Sequence, residues 1–584
     1  MNRDPFNAAR FLGYVNEVTP QKVSIHIPSA WLLSQFRIEG ETISGGNVGE
    51  YVAIEGERYG FVAKISSLKL PDSERKALSE KAVNDEGSQF HPIAEAELLM
   101  SFKMADPQAV EKTASRFPEI GSRVYAVSAA YIQMVLSADN RRMVATKMPV
   151  VQLGGLVSNG VPCNLSLNAL FGRHCAVIGT TGSGKSHTVS KLLYALVEET
   201  GNKIVILDPT GEYSTFDDNV AVESRIMGQT CHFPYRQLSI ADLFYLLRPT
   251  AQSQRPILAQ AIRSLKTVAL AKRQGDKTLD SYIDEQGCLK KMGMEKRAVR
   301  GFQYKNINAI EDEYCSFDIK LLGFQIKAEC VFESARDNAT QRDDPSRRGG
   351  FDVRMNDYQA SLKLRIQELL ASNEFNALFN FKGDQPETSI SAVDLFEGFL
   401  ADKNKRVLRL DFSQTSSSFS AREIVANAIA KFLYNQAKNK AYLMSPLVLI
   451  LDEAHLFVNK RLLDADQNVI PLDAFDLIAK ECRKFGLFLC LSTQMPRDIP
   501  VGTLSQMGAF IVHRLINEQD RRTVEMACSS ASKVALEYLP ALGPGEALIT
   551  GVEFAMPLVV KVSMPRYRPN SATPQLSVKQ EGWH

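Results

Sequence analysis

The clearest chemical signal is a glycine-rich segment, GTTGSGKS at residues 179–186, which directly follows the apolar run CAVI. It matches the G-x-x-x-x-G-K-[ST] pattern, in which backbone N–H groups and Lys185 hold phosphates while Ser186 places a hydroxyl on Mg²⁺ at a helix N-terminus. The alternative is a glycine-rich turn that matches by chance. We predict nucleotide contacts from Gly179, Thr180, Thr181, Gly182, Ser183, Gly184, Lys185, Ser186 and His187.

A second signal is SPLVLILDEAH at residues 445–455, an apolar run that ends in two carboxylates. Asp452 is placed to support the Mg²⁺ shell, and Glu453 to align and deprotonate a water for attack on a terminal phosphate. The alternative is a buried strand that ends in an exposed acidic turn. Beside a phosphate-binding loop, the pattern favours hydrolysis.

Three further segments carry polar groups at or near strand ends. In LSTQ, Gln494 is a candidate phosphate sensor or a solvated loop residue. In DPTGEY, Asp208 and Glu212 are candidates for the nucleotide site or for relaying its state, although the motif also suits a simple strand-ending turn. In CRKFG, Arg483 is either an arginine finger at a subunit boundary or, with Lys484, a solvated helix terminus.

The elements that must position these residues alternate between apolar strands and helical segments. The predicted strands are CAVIG, KIVILD, VLRLDFS, PLVLILDE, LFLCLSTQ and AFIVHRL. Continuous apolar runs separated by helices indicate an α/β core with a mainly parallel sheet, which we assign to residues 151–253 and 351–562. Residues 254–350 are predicted to be a helical insertion ending in a flexible loop, after which RMNDYQASLKLRIQELLASNEFNALF forms one helix.

The two ends of the chain differ from this core. Residues 1–150 contain short alternating segments with glycine and proline breaks and a polar stretch at 71–87, which predicts a small antiparallel barrel or sandwich. Residues 563–584 are proline-containing and carry Tyr567 and Trp583. On composition alone this tail is a weakly structured terminus.

Composition excludes several classes of protein. The 584 residues are 45% hydrophobic, which excludes a disordered chain. Nine scattered cysteines without a C-x-x-C pair indicate reduced thiols in a cytoplasmic protein, and no long uncharged apolar window predicts a membrane span. The 68 Lys and Arg against 66 Asp and Glu give a net charge of +2, which neither predicts nor excludes DNA binding.

Taken together, the motifs resemble the HerA family of hexameric DNA-translocating ATPases within the HerA/FtsK group of P-loop motors. The resemblance covers the chain in order and rests on GTTGSGKS, DPTGEY, SLKLRIQELLASNEFNALF, LRLDFS, LILDEAH, IAKECRKFG, LSTQMPRDIP and GAFIVHRL. It implies a RecA-like P-loop core behind an N-terminal HAS-barrel-like domain. It also implies hydrolysis of ATP with Mg²⁺ in a homohexamer whose channel threads double-stranded DNA.

The resemblance also implies roles for individual residues. Lys185 and Ser186 hold phosphate and Mg²⁺, Asp452 supports the metal, Glu453 is the catalytic base and Gln494 senses the γ-phosphate. Arg483 becomes the leading arginine finger in trans. The resemblance places Arg173 near the nucleotide and includes Arg514 in a family-like segment; the C-terminal tail is expected to brace a neighbouring subunit.

The leading interpretation is therefore a DNA translocase that serves a partner nuclease or an NAD-consuming effector, in DNA-end processing or antiphage defence. The alternative is a ring-forming regulatory ATPase that assembles and activates an effector with little DNA transport. A membrane-associated conjugation or secretion motor is a third possibility, against which the lack of a predicted membrane span counts.

Overall fold

The computed structural model describes most of the chain in two compact units, Met1–Asn202 with Phe488–His584, and Lys203–Leu487. The described residues are 5–20, 22–33, 36–38, 41–43, 46–75, 90–112, 116–128, 130–132, 148–158, 160–336, 343–415, 420–458, 460–463, 469–528, 533–554 and 556–571. Most of the polar stretch at 71–87, part of the predicted loop before residue 350 and Trp583 lie outside these residues.

The first unit opens with a closed antiparallel barrel, as the alternating N-terminal segments predict. Its ring follows the order β1 (Phe11–Val18), β9 (Arg123–Ala126), β5 (Tyr51–Ile54), β6 (Tyr59–Lys69), β7 (Ile93–Lys103), β2 (Lys22–His26) and back to β1. Strand β8 (Asp106–Lys112) pairs with β7 outside the ring. In β2 every second residue is buried, so Val23 and Ile25 join a core with Leu12, Val15 and Val52. The elements are β1 (Phe11–Val18), β2 (Lys22–His26), β3 (Phe36–Ile38), β4 (Glu41–Ile43), β5 (Tyr51–Ile54), β6 (Tyr59–Lys69), α1 (Asp72–Arg75), β7 (Ile93–Lys103), β8 (Asp106–Lys112) and β9 (Arg123–Ala126).

The chain then enters the sheet of the first unit. Its first part comprises β10 (Val150–Leu156), β11 (Pro162–Ser166), α2 (Leu167–Phe171), β12 (Cys175–Ile178) and α3 (Lys185–Glu199).

The second unit contains the helical insertion, the strand that ends at Asp208 and the strand that precedes Asp452 and Glu453. Its elements are β13 (Lys203–Asp208), β14 (Val222–Ile226), β15 (Cys231–His232), α4 (Ile240–Leu247), α5 (Gln254–Gln274), α6 (Lys296–Lys305), α7 (Ile307–Ile310), α8 (Leu322–Glu329), β16 (Ala335–Arg336), β17 (Asp343–Asp344), α9 (Val353–Tyr358), α10 (Ala360–Ala371), α11 (Asn373–Phe379), β18 (Ile390–Ser391), α12 (Ala392–Ala401), β19 (Val407–Asp411), α13 (Ala421–Lys438), β20 (Leu447–Leu451), β21 (Lys460–Leu463), β22 (Val469–Leu472) and α14 (Ala474–Glu481). Strands β20, β13, β19 and β14 pair in that order, and each pair is parallel.

The rest of the chain completes the first unit with β23 (Leu487–Thr493), α15 (Val501–Leu504), β24 (Ala509–His513), α16 (Glu518–Ala527), α17 (Lys533–Glu537), β25 (Glu546–Gly551) and β26 (Leu558–Val562). Strands β23, β12 and β24 are parallel neighbours. Beyond β24, the strands β25, β26, β10 and β11 add an antiparallel extension that the sequence interpretation did not contain.

One helix prediction was wrong in its extent. The segment predicted as a single helix before residue 380 forms three helices, α9, α10 and α11, because Gln359 and Ser372 interrupt it. The Ser372 backbone is extended and its hydroxyl accepts the N–H of Phe375, which caps a new helix. A serine within an apolar helical pattern is the signal for this break.

Candidate functional site

The P-loop, residues 179–186, begins at the edge where three parallel strands of the first unit end. Ile178, the last residue of β12, pairs with Thr493 on β23 and Val512 on β24. The Gly179 N–H donates to the Thr493 carbonyl at 3.2 Å, and the Thr180 N–H donates to the Arg514 carbonyl at 3.1 Å. The neighbouring strand ends therefore fix the first residues of the loop.

Two glycines of the P-loop cannot be replaced without strain. A Cβ at Gly179 would lie 2.5 Å from the Ser183 hydroxyl and 2.6 Å from the His513 Cβ. Gly184 caps α3 with a φ of 108°, in the left-handed region that favours glycine. Lys185 and Ser186 then open the 15-residue helix α3, whose first N–H groups have no intrahelical acceptor and suit an anion.

The predicted sensor Gln494 lies against the P-loop. It follows the last residue of β23, and the Thr181 hydroxyl donates to its Oε1 at 2.5 Å. Because β12 and β23 pair in register, Gln494 follows β23 beside the P-loop, and this hydrogen bond holds its amide there. Its action on a γ-phosphate stays a prediction.

A buried histidine, His513, lies beside the P-loop and contacts α3. It was not identified from the sequence. His513 is fully buried at the end of β24; its Nε2 lies 2.8 Å from the Thr188 hydroxyl, and its Nδ1 lies 2.9 Å from the Glu546 carbonyl. Burial lowers the pKa of His513 to about 4, with the Lys185 ammonium acting in the same direction and the Glu546 carbonyl opposing it. The signal in the sequence is a histidine that ends the otherwise apolar run AFIVH.

Three further basic residues of the first unit, Arg173, His187 and Arg514, differ in their contacts and exposure. The Arg173 guanidinium forms an ion pair with Glu553 at 2.8 Å and is 40% exposed. Arg514 contributes its backbone carbonyl to Thr180. His187 is partly buried, and burial, followed by the nearby charge of Arg568, lowers its pKa. The predicted contacts of Arg173 and His187 with the nucleotide remain untested.

The described part of the C-terminal tail packs on the P-loop helix of its own chain. The Arg566 guanidinium donates to the Tyr194 hydroxyl at 2.8 Å, and the Ser190 hydroxyl donates to the Tyr567 carbonyl. The rings of Tyr194 and Tyr567 lie 6.0 Å apart. The predicted brace to a neighbouring subunit remains a proposal, and residues 572–584 lie outside the described part of the chain.

In the second unit, the two predicted hydrolytic carboxylates follow β20. Leu451 pairs with Leu207 on β13, and the N–H of the buried Asp452 donates to the Leu207 carbonyl at 3.2 Å. Glu453 has a φ of 42°, and its carboxylate lies 3.2 Å from the His455 Nδ1. A non-glycine residue in the left-handed region is uncommon and costs on the order of 1–3 kcal/mol, which is a feature that clusters at functional sites.

The DPTGEY segment is held by its own first carboxylate. Asp208 is fully buried and accepts the N–H groups of Gly211, Glu212 and Tyr213 at 2.8, 3.2 and 3.1 Å. Its Oδ2 also accepts the Arg409 Nε at 2.9 Å. These contacts hold the turn that follows β13. A direct contact of Asp208 or Glu212 with a nucleotide stays an untested prediction.

Arg409 is the second residue that sequence reasoning missed. Its guanidinium donates to Asp208, to Asp217 at 2.9 Å and to Asp411 at 2.8 Å, and its side chain is 2% exposed. Burial lowers the pKa of Arg409, but these three carboxylates outweigh it and raise that pKa above its usual value. An arginine inside the apolar run VLRLD is the signal, because a buried charge requires partners.

Tyr213 connects this turn to the acidic end of β20. Its ring is fully buried, and burial, followed by the carboxylates of Asp452, Asp208, Glu212 and Glu453, raises its pKa well above the usual value. Within the described residues its hydroxyl has no hydrogen-bond partner. The DPTGEY turn and the Asp452–Glu453 pair are therefore parts of one electrostatic neighbourhood.

Arg483 lies on the surface of the second unit. It belongs to the short 3₁₀ turn Cys482–Phe485, which follows α14 and ends at Gly486 with a φ of 80°. Arg483 and Lys484 are exposed, and the Lys484 ammonium lies 5.2 Å from the centre of the Phe485 ring. An exposed guanidinium suits either predicted role, a finger for a neighbouring subunit or a solvated helix terminus.

The donor chemistry fits Mg²⁺, which prefers oxygen ligands and often binds through few carboxylates together with substrate phosphates. Ser186 carries a hydroxyl in the first turn of α3 in the first unit, and Asp452 carries a buried carboxylate in the second unit. That both serve one Mg²⁺ remains a prediction. No helix in the described parts of the chain is long and apolar enough to cross a membrane.

Two family models match adjoining parts of the chain. The model for the HerA helicase central domain matches residues 151–433, and the model for the HerA-like C-terminal domain matches residues 434–581. A DNA double-strand break repair helicase HerA from Pyrococcus furiosus is 24% identical over 76% of this chain and 73% of the relative. The protein of the same name from Saccharolobus solfataricus is 24% identical over 71% of this chain and 68% of the relative.

Solved structures give more distant similarities. VirB4 of Thermoanaerobacter pseudethanolicus has a TM-score of 0.42 at 13% identity, covering 72% of this chain and 97% of VirB4. The plasmid coupling protein TrwB, in complex with a non-hydrolysable ATP analogue, has a TM-score of 0.40 at 15% identity, covering 74% of this chain and 93% of TrwB.

Proposed function

The chain belongs to the HerA helicase family, and from this premise we propose that it is an ATP-dependent double-stranded DNA translocase or helicase. The observation that carries the proposal is the P-loop held between two parallel strand ends, with Lys185 and Ser186 opening α3. The relatives' printed names, DNA double-strand break repair helicases, supply the class of substrate.

In the proposed reaction, the P-loop N–H groups and Lys185 bind the β- and γ-phosphates of ATP. Ser186 and Asp452 would hold Mg²⁺, which would supply charge neutralisation at the phosphates. Glu453 orients a water and accepts its proton, and the left-handed backbone presents this side chain just after the strand. Gln494 reads the occupancy of the γ-phosphate position through its contact with Thr181.

The finer parts of the proposal concern assembly and partners. We propose a homohexamer in which Arg483 acts in trans on the nucleotide of the neighbouring subunit, with duplex DNA in the central channel. The motor works with a partner nuclease or an NAD-consuming effector, in DNA-end processing or antiphage defence. A cytoplasmic location fits the nine cysteines, which are buried and form no disulfide within the described residues.

The alternative function is a regulatory ATPase whose ring assembles and activates an effector. A comparison of ATP hydrolysis with and without duplex DNA distinguishes the translocase from the regulatory ATPase, because a translocase couples ATP turnover to movement along DNA. The proposal predicts strong stimulation by duplex DNA that disappears in Lys185→Ala. Turnover that is indifferent to DNA would favour the regulatory scaffold.

A further inference from the structure

We propose that a cavity within the helical insertion binds a small ligand of nucleotide size that carries two or more phosphoryl groups. This insertion cavity has a volume of about 470 Å³ and lies between α5, α6 and the segments at Lys291 and Arg348. It belongs entirely to the second unit, whereas the P-loop belongs to the first. The proposal is independent of the ATPase function.

The walls of the insertion cavity are strongly basic. Five cations line it, and no carboxylate does among the residues that the structure describes. The cations are Arg263 on α5, Lys291, Lys296 and Arg300 on or near α6, and Arg348. A low-dielectric concave wall that carries one sign of charge concentrates ligands of the opposite sign.

The carboxylates behind these cations compensate only part of their charge. Arg263 pairs with Glu311 at 3.1 Å, while Lys296 and Arg348 share Glu333 at 3.3 and 3.4 Å. Glu311 and Glu333 have side chains that are 55% and 74% exposed, so solvent screens both partnerships. The wall therefore keeps capacity for an incoming anion.

Two buried cationic groups in the wall differ in how well they are paired. The Lys291 ammonium is 8% exposed and pairs with Glu329 at 3.1 Å, but Glu329 also accepts the Ser264 hydroxyl and the Gln325 amide. Burial lowers the pKa of Lys291, Arg348 and Arg263 act in the same direction, and Glu329 opposes them. The Arg348 Nε is buried and finds no acceptor among the described residues. Buried donors of this kind normally have a partner, which a bound anion would supply.

The shape and composition of the insertion cavity select the class of ligand. Its volume lies in the range of small-molecule sites, about 300–1,000 Å³. Arginine and lysine together are the common partners of phosphate, through forked hydrogen bonds and point charge respectively. Met294, Val299 and Ile307 give one side of the cavity an apolar surface, and the Gln260 and Gln303 amides lie beside it. This combination suits an apolar or heterocyclic body attached to phosphates.

The test is a calorimetric titration of the full chain carrying Lys185→Ala, which removes nucleotide binding at the P-loop. The probes are inorganic pyrophosphate, ADP and a short DNA duplex, each added to that protein. Arg348→Gln and Arg300→Gln change the cavity wall. Arg297→Gln is the matched control, because Arg297 is an exposed arginine on α6 that does not line the cavity.

The proposal predicts one ADP or pyrophosphate per chain, with affinity reduced about tenfold or more by Arg348→Gln or Arg300→Gln, as expected for the loss of a charge-assisted hydrogen bond. Arg297→Gln leaves the affinity within about twofold. The absence of binding by both small probes at about 1 mM overturns the proposal, as does binding that the two cavity variants leave unchanged. Binding of the duplex alone overturns it too, because it assigns the basic wall to DNA.

Discussion

Glu453 is the residue on which the hydrolytic mechanism depends. We expect Glu453→Gln to bind ATP with nearly normal affinity and to lower the hydrolysis rate by about 10²–10⁴, because the amide keeps the shape of the side chain but cannot accept the proton from water. Lys185→Ala is expected to abolish binding, because it removes the charge that meets the β- and γ-phosphates.

Nucleotide binding by a fluorescent ATP analogue and phosphate release, measured on both variants, distinguish the two effects. Normal hydrolysis by Glu453→Gln would refute its role as general base. Loss of binding in that variant would instead assign the carboxylate to holding the nucleotide.

His513 makes the stability of the P-loop region depend on pH. Its pKa is about 4 in the folded chain against an ordinary value of 6.5, so the unfolded chain binds the proton more tightly. The resulting contribution to the free energy of unfolding, about 3 kcal/mol, is complete above pH 6.5 and is lost as the pH falls towards 4.

The measurement is the thermal midpoint of wild type and His513→Gln from pH 7.5 down to about pH 4.5. Since glutamine does not titrate, the advantage of the wild type should shrink as the pH falls. An advantage of constant size over this range would show that the buried imidazole does not titrate as described.

Among the elements, the turn after β13 depends on the buried pair of Asp208 and Arg409. Asp208→Asn removes the charge that Arg409 meets at 2.9 Å in a fully buried position, so we expect a loss of about 3–5 kcal/mol in the free energy of unfolding. Asp217→Asn is the matched control, because Asp217 contacts the same guanidinium but is 35% exposed, and its loss should be about 1 kcal/mol or less.

Chemical denaturation measures these losses, and nucleotide affinity is measured at a temperature where both variants are folded. Unchanged affinity in Asp208→Asn agrees with a residue that fixes the turn. A selective loss of affinity in this variant, without the loss of stability, would support a direct role of Asp208 at the nucleotide site.

The central strands of the sheet could be predicted from the sequence, but the pairing of strands far apart in the chain could not. The apolar runs predicted as strands β12, β13, β19, β20, β23 and β24 are all confirmed, because a continuous buried run leaves few alternatives. The antiparallel extension through β25, β26, β10 and β11 was not predicted, since pairing between segments about 400 residues apart is not a local property of the sequence.

The same distinction applies to the site. The P-loop could be predicted because its glycines and lysine carry a local pattern, and the structure confirms its strand and helix. The contacts of His513 with Thr188 and of Arg409 with Asp208 join residues far apart in the chain. The position of His513 and Arg409 within apolar runs indicates that each needs a polar partner. The identity of that partner can be read only from the folded structure.

For the whole molecule, the near-neutral charge of +2 is compatible with a DNA motor. A ring needs positive charge only along its channel, where symmetry repeats each cation in every subunit, so the total charge of the chain does not measure DNA affinity.

Assembly can be tested through Arg483. If this residue completes the site of a neighbouring subunit, Arg483→Ala should lower turnover by about 10³ or more while isolated subunits still bind ATP. Mixing Arg483→Ala subunits with Lys185→Ala subunits should recover activity, because an intact P-loop then meets an intact arginine. Lys484→Ala is the control, because Lys484 is the next residue and is also exposed, and this variant should retain turnover. No recovery in mixed assemblies would place any effect of Arg483 within its own subunit.

Translocation on DNA is measured most directly by the displacement of streptavidin from a biotinylated DNA duplex. We expect the wild-type protein to clear the block only when ATP is hydrolysed, and Glu453→Gln to bind ATP and DNA but leave the block in place. A wild-type protein that hydrolyses ATP and binds the duplex, yet never displaces the streptavidin, would contradict the assignment as a DNA translocase.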